Sequence, residues 1–77
     1  MNAYEYTIVL EPDDEEGGYT VTVPSLAGVV TQGETVEEAI EMAKDAIKLY
    51  LDVLKARGEP IPVERRRPQA ITIDVEA

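Results

Sequence analysis

The sequence predicts a two-layer α+β domain in the order β-β-β-α-β, with a mainly antiparallel sheet covered on one face by one long helix. Segments of alternating apolar and polar residues precede and follow a single segment with helical spacing. Each alternating segment has one apolar and one mainly polar face, and one helix can cover the single apolar face of such a sheet. A chain of 77 residues has room for one domain only.

The first three strands are predicted in the N-terminal half. Alternation of aromatic and aliphatic residues with polar ones predicts strands over residues 4–10 and 19–23. Residues 11–18 contain a proline, acids and paired glycines, which predict a solvated hairpin loop whose glycines take positive φ angles. Pro24 ends the second strand because it has no N–H to donate, and a short third strand is expected over residues 29–32.

A long helix is predicted over residues 36–57. Thr35 and Glu38 form a capping box, in which the hydroxyl accepts an N-terminal amide N–H and the carboxylate reaches back. Gly58 is placed to end the helix. The apolar residues that recur at helical spacing and form one stripe are Val36, Ala39, Ile40, Ala43, Ile47, Tyr50, Leu51 and Leu54.

The C-terminal part is predicted to hold a connector and the last strand. Residues 59–69 contain three prolines, which predict an extended connector. Within it, Arg65, Arg66 and Arg67 form the only basic cluster, which suits a solvated linker or a contact with RNA or with a partner's carboxylates. Alternation over residues 70–75 predicts the fourth strand.

Negative charge is concentrated in the first 43 residues, which hold ten acidic residues and no Lys or Arg. The whole chain has a formal net charge of −9. Such a surface is a poor ligand for nucleic acid, whose binding depends on Lys and Arg, but it would attract a basic protein. The charge could equally serve only to keep a small protein soluble.

The residue types that most catalytic sites need are scarce. The chain has no His and no Cys, so it lacks the usual group for proton transfer near neutral pH and any thiolate chemistry. Ser25 is the single serine, and without a His to activate it we expect a turn residue. We therefore predict a protein that is not an enzyme and holds no cofactor or metal.

The acidic hairpin is the candidate binding surface. Consecutive acids do not have the spacing of a calcium-binding loop, so a solvated charge run is expected rather than a metal site. The residues predicted to contact a partner electrostatically are Glu11, Asp13, Asp14, Glu15 and Glu16.

Size and composition also bear on assembly and location. A domain this small without disulfides is marginally stable alone, so a homo-oligomer is expected. No apolar run approaches the ~20 residues needed to span a bilayer. No signal peptide is recognisable either, so a cytoplasmic location without membrane contact is expected.

The chain resembles the HicB-like antitoxin family in three segments. Residues 17–28, GGYTVTVPSLAG, resemble the family's glycine-aromatic strand with its Val-Pro and closing Gly. Residues 31–39, TQGETVEEA, resemble its helix start, and residues 58–62, GEPIP, resemble its exit from the helix. With these three segments in register, the resemblance covers roughly residues 4–62, most of the chain.

The resemblance implies a partly degenerate ribonuclease-H-like or double-stranded-RNA-binding-like α+β fold. It also implies docking on a small basic messenger-RNA-cleaving toxin of the HicA type, which the chain would neutralise. Val29 and Met42 stand where members often carry Cys and Asn. Many members have a C-terminal DNA-binding domain, whereas this sequence ends after one more predicted strand, so we expect the short form and no direct DNA binding.

Two other functions are open at this stage. The chain could be an orphan module that self-associates through its sheet edges or binds a small ligand. It could also be a vestigial nuclease that uses acidic residues and a divalent metal. A stable complex with a small basic protein would favour the antitoxin, and RNA cleavage with Mg²⁺ or Mn²⁺ would favour the nuclease.

Overall fold

The computed structural model describes residues 4–77, and its elements follow the predicted order as far as the helix. Strands β1 (Val9–Pro12), β2 (Tyr19–Thr22) and β3 (Val30–Gly33) form one antiparallel sheet in the order β1-β2-β3. Helix α1 (Val36–Ala56) packs on one face of this sheet. The predicted α+β class is confirmed.

The first strand differs from its predicted range of residues 4–10, because β1 begins only at Val9. Val9 lies opposite Thr22, and the same register would place Thr7 opposite Pro24. Pro24 has no N–H to donate and lies in a turn. Residues 4–8 therefore lie outside the ladder. The other two strands and the helix lie within one residue of their predicted bounds.

Helix α1 is capped at both ends as the sequence predicts. The Thr35 hydroxyl accepts the N–H of Glu38 at 3.1 Å, and the Glu38 carboxylate accepts the N–H of Glu34 at 3.2 Å. At the other end, the N–H groups of Gly58 and Glu59 donate to carbonyls of the last helical turn. This is a Schellman motif, and it satisfies carbonyls that the helix itself leaves unpaired.

The core lies between α1 and the sheet in two clusters. Alternate residues of each strand face α1, whereas Val30 and Gln32 face away from it. The α1 stripe is only partly covered, since Ile40 remains 37% exposed. The buried members of the first cluster are Val21, Ala39 and Ala43, and those of the second are Val23, Leu26 and Val29.

The closest approach between α1 and the sheet is at Gly33. A Cβ atom at this position would lie 2.5 Å from both the Cα and the backbone N of Ala39, which is fully buried. Contact this close requires a residue without a side chain. Helix α1 therefore packs mainly against β3, less against β2 and least against β1.

The fourth strand predicted over residues 70–75 is absent from the sheet of the described chain. Residues 57–77 contain no helix or strand, and residues 65–77 are all exposed. An alternating sequence forms a strand only where a neighbouring strand edge offers hydrogen-bonding partners. The chain places no such edge beside these residues, so the prediction was wrong for the isolated chain.

We expect Gly33→Ala to lower the free energy of unfolding by about 1–3 kcal/mol, because the added methyl group forces the backbone of α1 away from β3. Urea unfolding followed by circular dichroism would measure the change. The double variant Gly33→Ala/Ala39→Gly is the control. It should regain no stability, since the nearest atoms belong to the backbone of Ala39. Full recovery in the double variant would contradict this explanation.

Candidate functional site

The hairpin loop between β1 and β2 carries most of the acids predicted to contact a partner. Asp13 is half-buried, and its carboxylate accepts the N–H groups of Glu15 at 3.0 Å and Glu16 at 3.1 Å. Its own N–H and C=O bond with Gly18 and Gly17. Both glycines have positive φ angles, as predicted. Asp13 therefore holds the turn together, a role that the sequence analysis did not assign to it.

The other predicted acids are exposed. Asp14, Glu15 and Glu16 project from the loop. Glu11 lies near the end of β1, where its ladder partner is Thr20. Their carboxylates are therefore accessible to a partner from solvent.

Two acids that the sequence analysis treated only as part of the helix start lie beside the loop. Glu34 and Glu38 line a shallow depression of about 290 Å³ together with Asp13 and Glu16. The capping box places Glu34 and Glu38 at the start of α1, next to the β1–β2 hairpin. We call the surface formed by Asp13, Asp14, Glu15, Glu16, Glu34 and Glu38 the acidic end.

The acidic end suits cationic side chains of another protein. Its carboxylates come from two separate elements, so a partner can contact both at once. Within residues 4–77, no group of three or more acidic side chains is close enough together to hold a metal ion. Exposed carboxylates on two neighbouring elements are suited to electrostatic contact with a basic protein.

A second polar cluster is centred on Glu64, whose side chain is only 1% exposed. One carboxylate oxygen accepts the backbone N–H of Thr7 at 2.8 Å and the hydroxyl of Ser25 at 3.1 Å. The other accepts the Thr7 hydroxyl at 2.8 Å and the Arg67 guanidinium at 2.6 Å. Ser25 lies in a turn, as predicted. Glu64 was not identified from the sequence, because nothing distinguishes it from other acids of the connector.

These contacts hold the pKa of Glu64 at about 2, well below its usual 4.5. The main cause is the hydrogen bond from the Thr7 N–H, with further contributions from Arg67, the Thr7 hydroxyl and Ser25. Burial acts in the opposite direction, and the hydrogen bonds outweigh it.

The three arginines of the connector do not act together. Arg67 pairs with Glu64 and also with Glu5, so it fastens the connector to the N-terminal segment. Arg65 and Arg66 are exposed. The connector is also fastened by Tyr6, whose hydroxyl donates to the backbone carbonyl of Pro62 at 2.5 Å.

An apolar groove of about 650 Å³ lies between residues 4–8 and one side of α1. It exists because α1 lies over β3 and β2 and leaves the β1 side of the sheet uncovered. We call it the edge groove. Its apolar lining comes from Tyr4, Tyr6, Ile8, Ile40, Ile47 and Leu51.

Comparison with known sequences identifies the family. The sequence model for the HicB-like antitoxin of the bacterial toxin-antitoxin system matches residues 6–74, almost the whole chain. This chain belongs to the HicB-like antitoxin family. The resemblance seen in its three sequence segments is thereby confirmed. No helix within residues 4–77 of this HicB-like chain is long and apolar enough to cross a membrane.

Relatives of this HicB-like chain fall into short and long proteins. A UPF0150 protein of Thermoplasma acidophilum is 42% identical over 69 residues, which cover 90% of this chain and 96% of that protein. The antitoxin HicB of Escherichia coli K12 is 43% identical over 58 residues, 75% of this chain but only 41% of that protein. Antitoxin HicB 1 of Photorhabdus laumondii is 45% identical over the same length, which covers 37% of that protein.

We expect the stabilising contribution of Glu64 to depend on pH. A folded-state pKa of about 2 against an ordinary 4.5 means that folding favours the ionised form. The contribution is complete above about pH 4.5 and is lost as the pH falls toward 2. The free energies of unfolding of the wild type and of Glu64→Gln, measured with urea, should therefore differ most near neutral pH and converge as the pH falls below 4.5.

The matched control is Glu59→Gln, which removes one charge from an exposed glutamate of the same connector. The free energy of unfolding of Glu59→Gln should differ little from that of the wild type at every pH. A Glu64→Gln difference that stays constant across the acidic range would contradict the assigned role of the carboxylate charge.

Proposed function

We propose that this chain is an antitoxin module that neutralises a small basic toxin of the HicA type by docking on it in the cytoplasm, without catalysing a reaction. Membership of the HicB-like family supports the antitoxin role. The acidic end is the structural observation on which docking on a basic protein rests. It joins exposed hairpin acids to Glu34 and Glu38 at the start of α1.

The charge distribution supports the same partner. A toxin that cleaves messenger RNA needs positive potential where it holds phosphates. The first 43 residues of this chain carry ten acids and no basic residue, and the acidic end lies within them. Complementary potentials of this kind raise the rate of association and fade as salt screens them.

Affinity capture tests the proposal. The tagged chain, incubated under native conditions with lysate of its source cell, should retain a small basic protein that mass spectrometry identifies. That protein, once purified, should cleave messenger RNA, and addition of the chain should suppress the cleavage. Recovery of the bait alone, or cleavage that the chain leaves unchanged, would refute the proposal.

Charge reversal at the acidic end tests the docking surface. We expect Glu15→Lys/Glu16→Lys to slow association with the captured toxin roughly tenfold or more at low salt, because steering by opposite charge is removed. Stopped-flow mixing would measure the rate. The effect should shrink as salt is raised.

Asp45→Lys/Glu59→Lys is the matched control, because it makes the same change in net charge at exposed positions outside the acidic end. Its association rate should stay close to that of the wild type. Equal slowing by both variants would mean that net charge, and not the acidic end, directs the encounter.

A further inference from the structure

The C-terminal segment has the pattern of a strand but no strand partner among residues 4–77 of its own chain. Ile71, Ile73 and Val75 alternate with polar residues and are 73%, 72% and 77% exposed. Three aliphatic side chains on one face of a segment are unusual where nothing covers them. The edge groove in turn has apolar walls that no element of residues 4–77 fills.

In one copy the two features do not meet, since no residue of the C-terminal segment is among those that line the groove. The Cα radius of gyration is 14.6 Å, and the principal axes measure 48 × 27 × 19 Å. A compact domain of this length would have a radius of roughly 11.5 Å. The connector is fastened at its end by Arg67, which pairs with Glu64 and Glu5, and the exposed segment follows directly.

We propose that residues 70–76 of one copy bind in the edge groove of a second copy, where they pair with residues 4–8 and add the fourth strand to that sheet. Ile71, Ile73 and Val75 would face α1 of the second copy, and the intervening polar residues would face solvent. The exchange would be reciprocal, which gives a two-fold dimer with two equivalent grooves.

The C-terminal segment and the residues with which it would pair have similar lengths. A strand advances about 3.3 Å per residue, so residues 71–75 span about as much length as residues 4–8. Residues 4–8 lie outside the ladder and continue directly into β1, which is an edge strand with one unpaired side. An unpaired edge beside an apolar groove accepts an added strand, since the backbone supplies hydrogen bonds and the groove accepts alternate side chains.

The charges that line the edge groove favour the C-terminal segment of a second copy over a basic protein. Four basic residues line the groove, Lys44, Lys48, Lys55 and Arg67, against the two acids Glu5 and Asp52, so its charged lining is net positive in a chain that is strongly acidic. The exposed C-terminal segment carries Asp74 and Glu76 and no basic residue. An acidic segment with alternating aliphatic residues therefore matches the groove in net charge and polarity better than a cationic partner does.

Light scattering after size-exclusion chromatography of the full chain is the first test. The wild type should have twice the monomer mass of 8.5 kDa at high concentration and dissociate on dilution. Ile71→Asp/Ile73→Asp should raise the dimer dissociation constant by roughly a hundredfold or more, because charges would enter an apolar groove. Its helical circular dichroism should be unchanged and its melting temperature should equal that of the dilute, dissociated wild type, since both side chains are exposed in the single copy.

The control is Val30→Asp/Leu49→Asp, which places the same charges at exposed apolar positions outside the groove, and it should remain dimeric. A wild type that stays monomeric at every concentration would overturn the proposal, including the case in which the segment folds back onto its own groove. A dimer that survives Ile71→Asp/Ile73→Asp would overturn it too, because another surface must then hold the copies together.

Hydrogen exchange locates the docking site. The backbone amides of residues 4–8 should become protected as the wild-type concentration rises, and the Ile71→Asp/Ile73→Asp variant should show no such protection. Unchanged exchange at residues 4–8 in a proven dimer would overturn the proposal. These measurements use the chain alone, so their outcome is separate from that of toxin capture.

Discussion

The backbone contact between Gly33 and Ala39 determines where α1 lies on the sheet. The shapes of the edge groove and of the acidic end follow from that position. Neighbouring strands are about 4.8 Å apart, so the outer strands of a three-stranded sheet lie about 10 Å apart. A helix is itself only 10–12 Å wide, and one drawn toward β3 cannot also cover β1. The edge groove is the uncovered part of the sheet. The same packing brings the start of α1 to the hairpin side, where Glu34 and Glu38 join the loop acids.

The Glu64 carboxylate provides the hydrogen-bond acceptor that the sheet does not provide for Thr7. Residues 4–8 lie outside the ladder, and Pro24, which the register would place opposite Thr7, lies in a turn, so the Thr7 N–H has no strand partner. The Glu64 carboxylate takes that N–H, and the remaining donors offset the cost of burying a charge. One side chain thus ties together the N-terminal segment, the turn after β2 and the connector. It also sets the place from which the C-terminal segment leaves the body of the protein.

Local signals in the sequence were sufficient to predict α1 and strands β2 and β3. Thr35, Glu38 and Gly58 act within a few residues of themselves, so their effect on α1 could be predicted from spacing alone. The range of the first strand could not be predicted in this way, because it depends on Pro24, which is distant in sequence. Pairing over 70–75 needs a strand edge next to the segment, and in one copy the segment is not paired with the free edge of β1. Among the predicted contact residues, Asp13 turned out to be a turn former, since its hydrogen bonds depend on loop geometry that charge counting does not include.

The acidic end and the edge groove share no lining residue, and the charged lining of the groove is net positive whereas the acidic end is negative. A partner chosen by one surface would therefore not compete with a partner chosen by the other. Two copies joined through their edge grooves would leave both acidic ends exposed. A partner that presents two linked basic surfaces would then contact both ends, and its second contact would form at a high effective concentration. The dimer would hold such a partner more firmly than a single docking surface allows.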